Sequence, residues 1–345
     1  MTKMWEEILE QPDVLRKTIE TNKKTIDEMI GELNSREISS VIIAARGTSD
    51  HAAVYTKYAI ETLVGIPVSL AAPSVFTMYN KNVNMKNSFV IGISQSGKAA
   101  DAIEVVKAAA GQGAVTMSVT NFVDSPLAAA SKYHLFCDTG VEKSVAATKT
   151  FTSTVYLLIN FIAKWAKNDE LLKELTQVPD AIKSVFEQSD NIQEVVKKYR
   201  FMKECFVLAR GINYSIALEA ALKIQETTYV RAKAFATSDF HHGPFAMVER
   251  DMPVLVYAPE GPSTKDIFEM INKLKDSQAD ILVISNNKEL LGMGDSSIEI
   301  PKNLSDYVSP LVNVAVAQMF ACKLSLLKGL NPDSPRGLNK VTITR

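Results

Sequence analysis

Glu219, Lys223 and Glu226 stand at i, i+4 and i+7, a spacing that stacks three charged side chains on one face of a helix. Their neighbours Ala217, Leu218, Ala220, Ala221 and Leu222 make this an oily helix, so the charges must lie in or beside a buried surface. A lysine between two carboxylates satisfies that burial. It also suits a proton shift between adjacent carbons, which needs a base for the C–H proton and a cation beside the developing enediolate. A second candidate is the run Ser94-Gln95-Ser96-Gly97-Lys98, placed between an apolar strand and a helix expected over 99–110. Hydroxyls, a glycine and free amides at a helix N-terminus make a cradle for an anion such as phosphate, although a serine-rich capped turn has the same residues. Gly47-Thr48-Ser49, after another apolar strand, would add hydroxyls to the same edge. His241 and His242 precede Gly243-Pro244; by composition they are loop residues. Lys340 lies in a tail whose Leu338 and alternating Val341-Thr342-Ile343 suggest docking.

The elements that must position these residues come in two copies. Residues 40–47 (SVIIAARG) match 205–211 (CFVLARG) with Gly47 and Gly211 164 residues apart. The same offset relates Ser74-Val75-Phe76 to Ser238-Asp239-Phe240, and Gly97 to Gly261. Each half reads strand, helix, short apolar strand, strand, glycine turn, helix, strand. Continuous β-branched runs alternating with helical patterns predict an α/β fold of two tandem doubly wound parallel sheets flanked by helices. Ligands of such sheets sit at the carboxyl ends of the strands. The loop equivalent to 94–98 in the second half, Ala258-Pro259-Glu260-Gly261, lacks the hydroxyls and carries a negative charge, which favours the anion reading for the first. The expected division is a helical arm at 1–37, interrupted at Pro12, a first domain at 38–170, a helical linker at 171–196, a second domain at 197–335 and a tail at 336–345.

Composition limits the partners. Among 345 residues, 38 Lys and Arg against 39 Asp and Glu leave a net charge of −1, so no global basic field exists for nucleic acid or an anionic membrane. Cys137, Cys205 and Cys322 are odd in number and widely spaced, which argues against a disulfide framework or zinc site and for a reducing compartment. The N-terminus turns acidic where a signal peptide would turn apolar, and the longest oily stretch, 155–163, is too short for a bilayer span. A soluble, cytoplasmic protein is expected.

Gly47-Thr48-Ser49, Ser94-Gln95-Ser96-Gly97, 142–151 (EKSVAATKTF), 217–229 (ALEAALKIQETTY), His242-Gly243-Pro244, Leu338-Asn339-Lys340 and Glu10-Gln11-Pro12 occur in an order that resembles the double-SIS-domain phosphosugar isomerases, in particular the isomerase half of glutamine-dependent glucosamine-6-phosphate synthase. The resemblance implies two SIS domains. It implies catalytic roles for Glu226, shuttling a proton between C1 and C2; Lys223, its cationic helper; His242, opening the sugar ring from across a homodimer interface; and Lys340, forming a Schiff base with an open-chain ketose phosphate. Phosphate and sugar would be bound by Thr48, Ser49, Ser94, Gln95, Ser96, Gly97, Lys98, Glu142, Val145 and Ala147. No cofactor or metal is invoked.

Three departures narrow the inference. The family loop reads SQSGET where this chain has Lys98-Ala99; serine is usual at Ala147, and glutamate at Asp239. The glutamine-dependent enzymes carry an additional domain with a cysteine nucleophile, for which this sequence has no room. The resemblance therefore implies an aminosugar-phosphate deaminase or isomerase, with a fructosamine-phosphate deglycase or a non-catalytic phosphosugar sensor as alternatives. The sensor reading conflicts with four catalytic-type positions and with an arm too short and acidic for a DNA-binding domain.

Overall fold

The structure, a computed structural model, describes residues 1–340. Val341-Thr342-Ile343, the part of the tail whose alternation suggested docking, lies outside the described residues. The chain opens with helices α1 (Lys3–Leu9) and α2 (Gln11–Ser35), broken at Glu10 so that Pro12 falls in the first turn of α2, where its missing N–H is not needed.

The first sheet comprises β1 (Ser40–Ala44), β2 (Val68–Leu70), β3 (Ser88–Ile93), β4 (Val115–Thr120) and β5 (Tyr133–Phe136), all parallel, in the order β2-β1-β3-β4-β5. Its central strands β3 and β4 are buried along their whole length, with Phe89 opposite Val41 on one side and Val115 on the other. Helix α3 (Thr48–Leu63) follows β1, and α4 (Ala100–Ala110) follows β3. Ala102, Val105, Val106 and Ala109 form the inward stripe of α4 and pack with Val90 and Leu127. Burying each of those valines contributes about 1.5–3 kcal/mol. Close packing there requires Gly92, where a Cβ would lie 2.9 Å from both Val106 and Leu127. Helix α5 (Lys149–Trp165) is buried at every position but Lys164, and packs Phe161 and Trp165 edge-on against Phe89.

The second sheet repeats this plan. Strands β6 (Glu204–Ala209), β7 (Arg231–Ala236), β8 (Pro253–Tyr257), β9 (Asp280–Ser285) and β10 (Ser296–Glu299) run parallel in the order β10-β9-β8-β6-β7, the first order read from its other edge. Strands β1 and β6 begin at Ser40 and Glu204, 164 residues apart. The helices that matter below are α6 (Tyr214–Thr228), α7 (Thr264–Asp276) and α8 (Ser309–Leu327). Each half has one strand more than its sequence suggests. β5 and β10 are four-residue edges with polar residues, too short to show a periodicity of their own.

The longest apolar helix is α8 rather than the stretch at 155–163. Its 19 residues have the length and composition of a membrane span, with mean hydropathy 1.5, yet 83% of that window is buried inside the protein, as befits a core helix. All three cysteines are free and buried.

The compact units do not follow the linear order of the chain. Among the described residues, one unit contains the first sheet and comprises 13–142, 149–176 and 339–340; the other contains the second sheet and comprises 1–12, 143–148 and 177–338. The arm at 1–37 is therefore divided between them, and six residues of the stretch 38–170 belong with the second sheet.

Candidate active site

In the first-sheet unit the strand order reverses between β1 and β3, so their carboxyl ends open the crevice where parallel sheets take ligands. After β1 the chain turns through Gly47, at φ 56°, and Thr48 and Ser49 open α3. After β3, Ser94 N–H donates to Val119 O (3.1 Å), Gly97 N–H closes the turn onto Ser94 O (3.1 Å), and Asn121 N–H holds Gln95 O (2.9 Å). Gly97 sits at φ 63°, and a Cβ there would lie 2.2 Å from Ser125 Oγ, so only glycine fits. Helix α4 begins at Ala100, one residue later than the sequence suggests, and its N-cap Ala99 has no side chain to satisfy the first-turn amides. Arg46, from the loop after β1, pairs with Asp101 in that first turn at 2.8 Å and ties the two loops together.

Beside this loop, Glu142 is buried; its Oε1 accepts Thr150 N–H (3.1 Å), and its Oε2 lies 2.8 Å from Lys340 Nζ. Asn121 positions the approach to Glu142, donating to Gly140 O (2.8 Å) and accepting Thr139 N–H (3.0 Å). Gln95, Ser96, Lys98, Asn121, Glu142 and Lys340 line one cavity of about 390 Å³. Phe122, Val123 and Val141, all exposed, add apolar surface to it. Ser94 is buried beneath the loop, and Thr48, Ser49, Ser94 and Gly97 are not among the described residues lining this cavity. Arg46, Asp101 and Asn121 escape sequence reasoning because their partners are supplied by other strands.

The second-sheet unit holds the other candidates. On α6, Glu219 and Lys223 are fully buried while Glu226 keeps 21% of its side chain exposed. Lys223 Nζ lies 3.3 Å from Glu219 Oε1 and 2.6 Å from Glu226 Oε2. Burial disfavours the Lys223 ammonium, but the two carboxylates outweigh it and raise its pKa above the ordinary lysine value. The three charges thus have distinct places: Glu219 is sealed and neutralises the lysine, Lys223 is a fixed cation, and Glu226 alone can be reached. Tyr229 ends α6 in the left-handed region, φ 59°; its Oη accepts Arg336 N–H (2.8 Å), and the Arg336 guanidinium lies 4.2 Å over its ring.

His242 is exposed, its N–H bonded to Asp239 O (3.0 Å), on a loop footed by buried Phe240 packed among Phe206, Phe235 and Phe245. His241 differs: its Nδ1 lies 3.2 Å from Lys273 Nζ. Val145 and Ala147, half-buried, belong to this unit and not to the one holding Glu142.

These features define a class first: a duplicated doubly wound α/β fold with a glycine turn and an uncapped helix start at one switch point and a buried ion cluster on a helix of the other copy. The chain belongs to the SIS domain family, which it matches over 36–163 and 199–328. It is 33% identical over 344 residues to glutamine–fructose-6-phosphate aminotransferase (isomerizing) of Aquifex aeolicus, a match covering 99% of this chain and 57% of that protein. The chain thus spans little more than half the length of that relative. The C-terminal domain of glucosamine-fructose-6-phosphate aminotransferase from Francisella tularensis superposes with a TM-score of 0.88 at 25% identity, covering 97% of this chain and 98% of that one. Glucosamine-6-phosphate deaminase of Thermotoga maritima shares the fold, with a TM-score of 0.79 at 19% identity over 99% of this chain and all of that one.

Proposed function

We propose that the chain is an aminosugar-phosphate deaminase and isomerase, converting glucosamine 6-phosphate and water to fructose 6-phosphate and ammonia, or the reverse with free ammonia. The observation that carries this reading is the cavity in which Ser96 and Gln95, at the uncapped start of α4, are lined up with the Lys340–Glu142 pair. An anion held at one end and an amine beside a carboxylate at the other suit an open-chain sugar phosphate. Phosphate would be held by the 94–98 turn with Thr48 and Ser49, and Lys98 would add a cation to it; Val145 and Ala147 would face sugar hydroxyls.

In this mechanism His242 moves the proton that opens the ring. Glu226 then takes the C2 proton and returns it to C1, while O1 gains a proton and the amine nitrogen gives one up to solvent, so that a C1 aldehyde with a C2 amine becomes a C1 alcohol with a C2 imine. Lys223 stabilises the negative charge that develops in between. Glu142 can accept a proton from Lys340, whose free amine exchanges with the C2 imine and releases ammonia. Water then releases the ketose phosphate and the lysine. His242, exposed on its loop, is the residue a second subunit would share in a homodimer acting in the cytoplasm.

One observation favours a second reading. The exposed Phe122, Val123 and Val141 beside Lys340 would suit an apolar substituent on the substrate nitrogen, as a fructosamine 6-phosphate deglycase requires. Incubating the protein with glucosamine 6-phosphate, fructosamine phosphates and non-amino sugar phosphates, and assaying ammonia, released amine and product sugar, separates these. Ammonia from glucosamine 6-phosphate supports the lead reading. Isomerised sugar from a non-amino substrate, with no ammonia from any amino one, overturns it.

A further inference from the structure

Glu7 and Ser144 are 137 positions apart in sequence, yet α1 and the six-residue loop 143–148 share one compact unit. Glu7 is 4% exposed, and its carboxylate faces the loop, accepting Lys143 N–H, Ser144 N–H (3.3 Å) and Ser144 Oγ–H (2.6 Å). Asp333 ties the same pieces again. Its carboxylate accepts Lys3 N–H (2.9 Å) and Met4 N–H (2.8 Å) at the start of α1, and its carbonyl accepts Val145 N–H (3.1 Å). The end of the loop is held as well: Gln318 donates to Thr148 O (3.2 Å) and accepts from Gln11 Nε2 (2.8 Å), both glutamines fully buried.

Packing alone does not explain these residues. Burying a carboxylate is unfavourable unless donors meet its oxygens, and the neighbouring inward positions of α1, Met4 and Ile8, are apolar. Glu7 is useful only for what it holds, and it holds backbone of the loop that carries Val145 and Ala147. Asp333 is itself held in place, because Arg336, anchored on Tyr229, follows it by three residues.

We propose that Glu7 is a positioning residue: with Asp333 and Gln318 it fixes the backbone of loop 143–148, and with it the candidate sugar contacts Val145 and Ala147. The substrate part of this inference rests on the sugar-phosphate reading above. The test is Glu7→Gln, which keeps size but turns an amide N–H toward the loop's own donors, studied in the full chain by hydrogen–deuterium exchange and by kinetics on the best substrate of the panel. Amides in 143–148 should exchange about ten-fold faster or more. The KM should rise roughly ten-fold with kcat nearly unchanged, since a displaced contact loop weakens substrate and transition state alike. Ser144→Ala should move both readouts the same way by less, and the double variant should add little to Glu7→Gln.

Unchanged exchange, or faster exchange with an unchanged KM, would overturn the proposal. Should Glu7→Gln not fold, Ser144→Ala carries the test with the same readouts. If the wild type binds no sugar phosphate, the functional reading falls and the substrate role of Glu7 with it; exchange in the variant would then still decide whether the clamp exists.

Discussion

The turn after β3 and the turn after β8 occupy the same place in two sheets of one strand order, and they are built in opposite ways. In the first, Gly97 takes a positive φ, Ser94 and Ser96 flank it, and α4 starts on an alanine that caps nothing. In the second, Glu260 N–H is held by Asn286 Oδ1 (2.7 Å) and Gly261 N–H by Thr264 Oγ1 (2.9 Å), so the amides that could meet an anion are already bonded. Glu260 and the nearby Asp306 add negative charge. The helices show the converse. Tyr55, Ala59 and Thr62 of α3 are the 164-residue equivalents of Glu219, Lys223 and Glu226 of α6. The two copies share one strand order, and under the proposed function they divide the work, with anion capture in the first and acid–base groups in the second.

If that division of labour is right, the largest loss should come from Glu226→Gln, which removes the only accessible carboxylate of the charged trio. The expected fall in kcat is about 10²–10⁴-fold with sugar-phosphate binding retained, read by steady-state kinetics beside calorimetric binding; an unaffected rate would return the chain to the sensor class. Lys223→Met should instead be felt in stability, because it strands Glu219 in the core. A cost of about 3–5 kcal/mol is expected in urea unfolding, relieved when Glu219→Gln is added.

Ser96→Glu would give the first turn the charge that the second carries at Glu260. It should weaken phosphate or sugar-phosphate binding about 100-fold or more through like-charge repulsion, with little change in melting temperature.

The two glycines offer a gentler contrast. Gly97→Ala meets Ser125 and a left-handed backbone and should cost about 1–3 kcal/mol. Gly261→Ala, whose nearest neighbour would be Asp306 Oδ1 at 3.4 Å, should lie within about 0.5 kcal/mol of wild type.

The smallest effect concerns pH. The folded pKa of Lys223 is raised, so its contribution is fully present below the unfolded value of 10.5 and is lost as pH rises beyond it toward the folded value. Stability measured across alkaline pH should therefore fall more steeply in the wild type than in Lys223→Met.

Much of this was legible before any coordinates. The Gly47–Gly211 and Gly97–Gly261 pairs predict the duplication, because a glycine that turns a strand into a helix is hard to move. The i, i+4, i+7 charges among alanines and leucines predict a buried ion cluster, because buried charges must pair. What was not legible depends on partners distant in sequence. β5 and β10 exist only because β4 and β9 offer them an edge, Asp101 is matched by Arg46 from another loop, and Glu7 reads in sequence as one more acid of a solvated arm. The apolar run of α8 is likewise hard to see in sequence, because Asn313, Gln318 and Lys323 interrupt it.

The sequence by itself thus determined the two sheets, the glycine turn after β3 and the charged cluster on α6, since these follow from local periodicity, glycine geometry and the cost of burying charge. Only the tertiary structure decided which carboxylate of the trio is sealed and which is reached, that Glu142 pairs with Lys340, and that loop 143–148 is hung from Glu7 and Asp333. Those outcomes depend on burial and on hydrogen bonds between segments far apart in the chain, quantities that no local pattern of residues encodes.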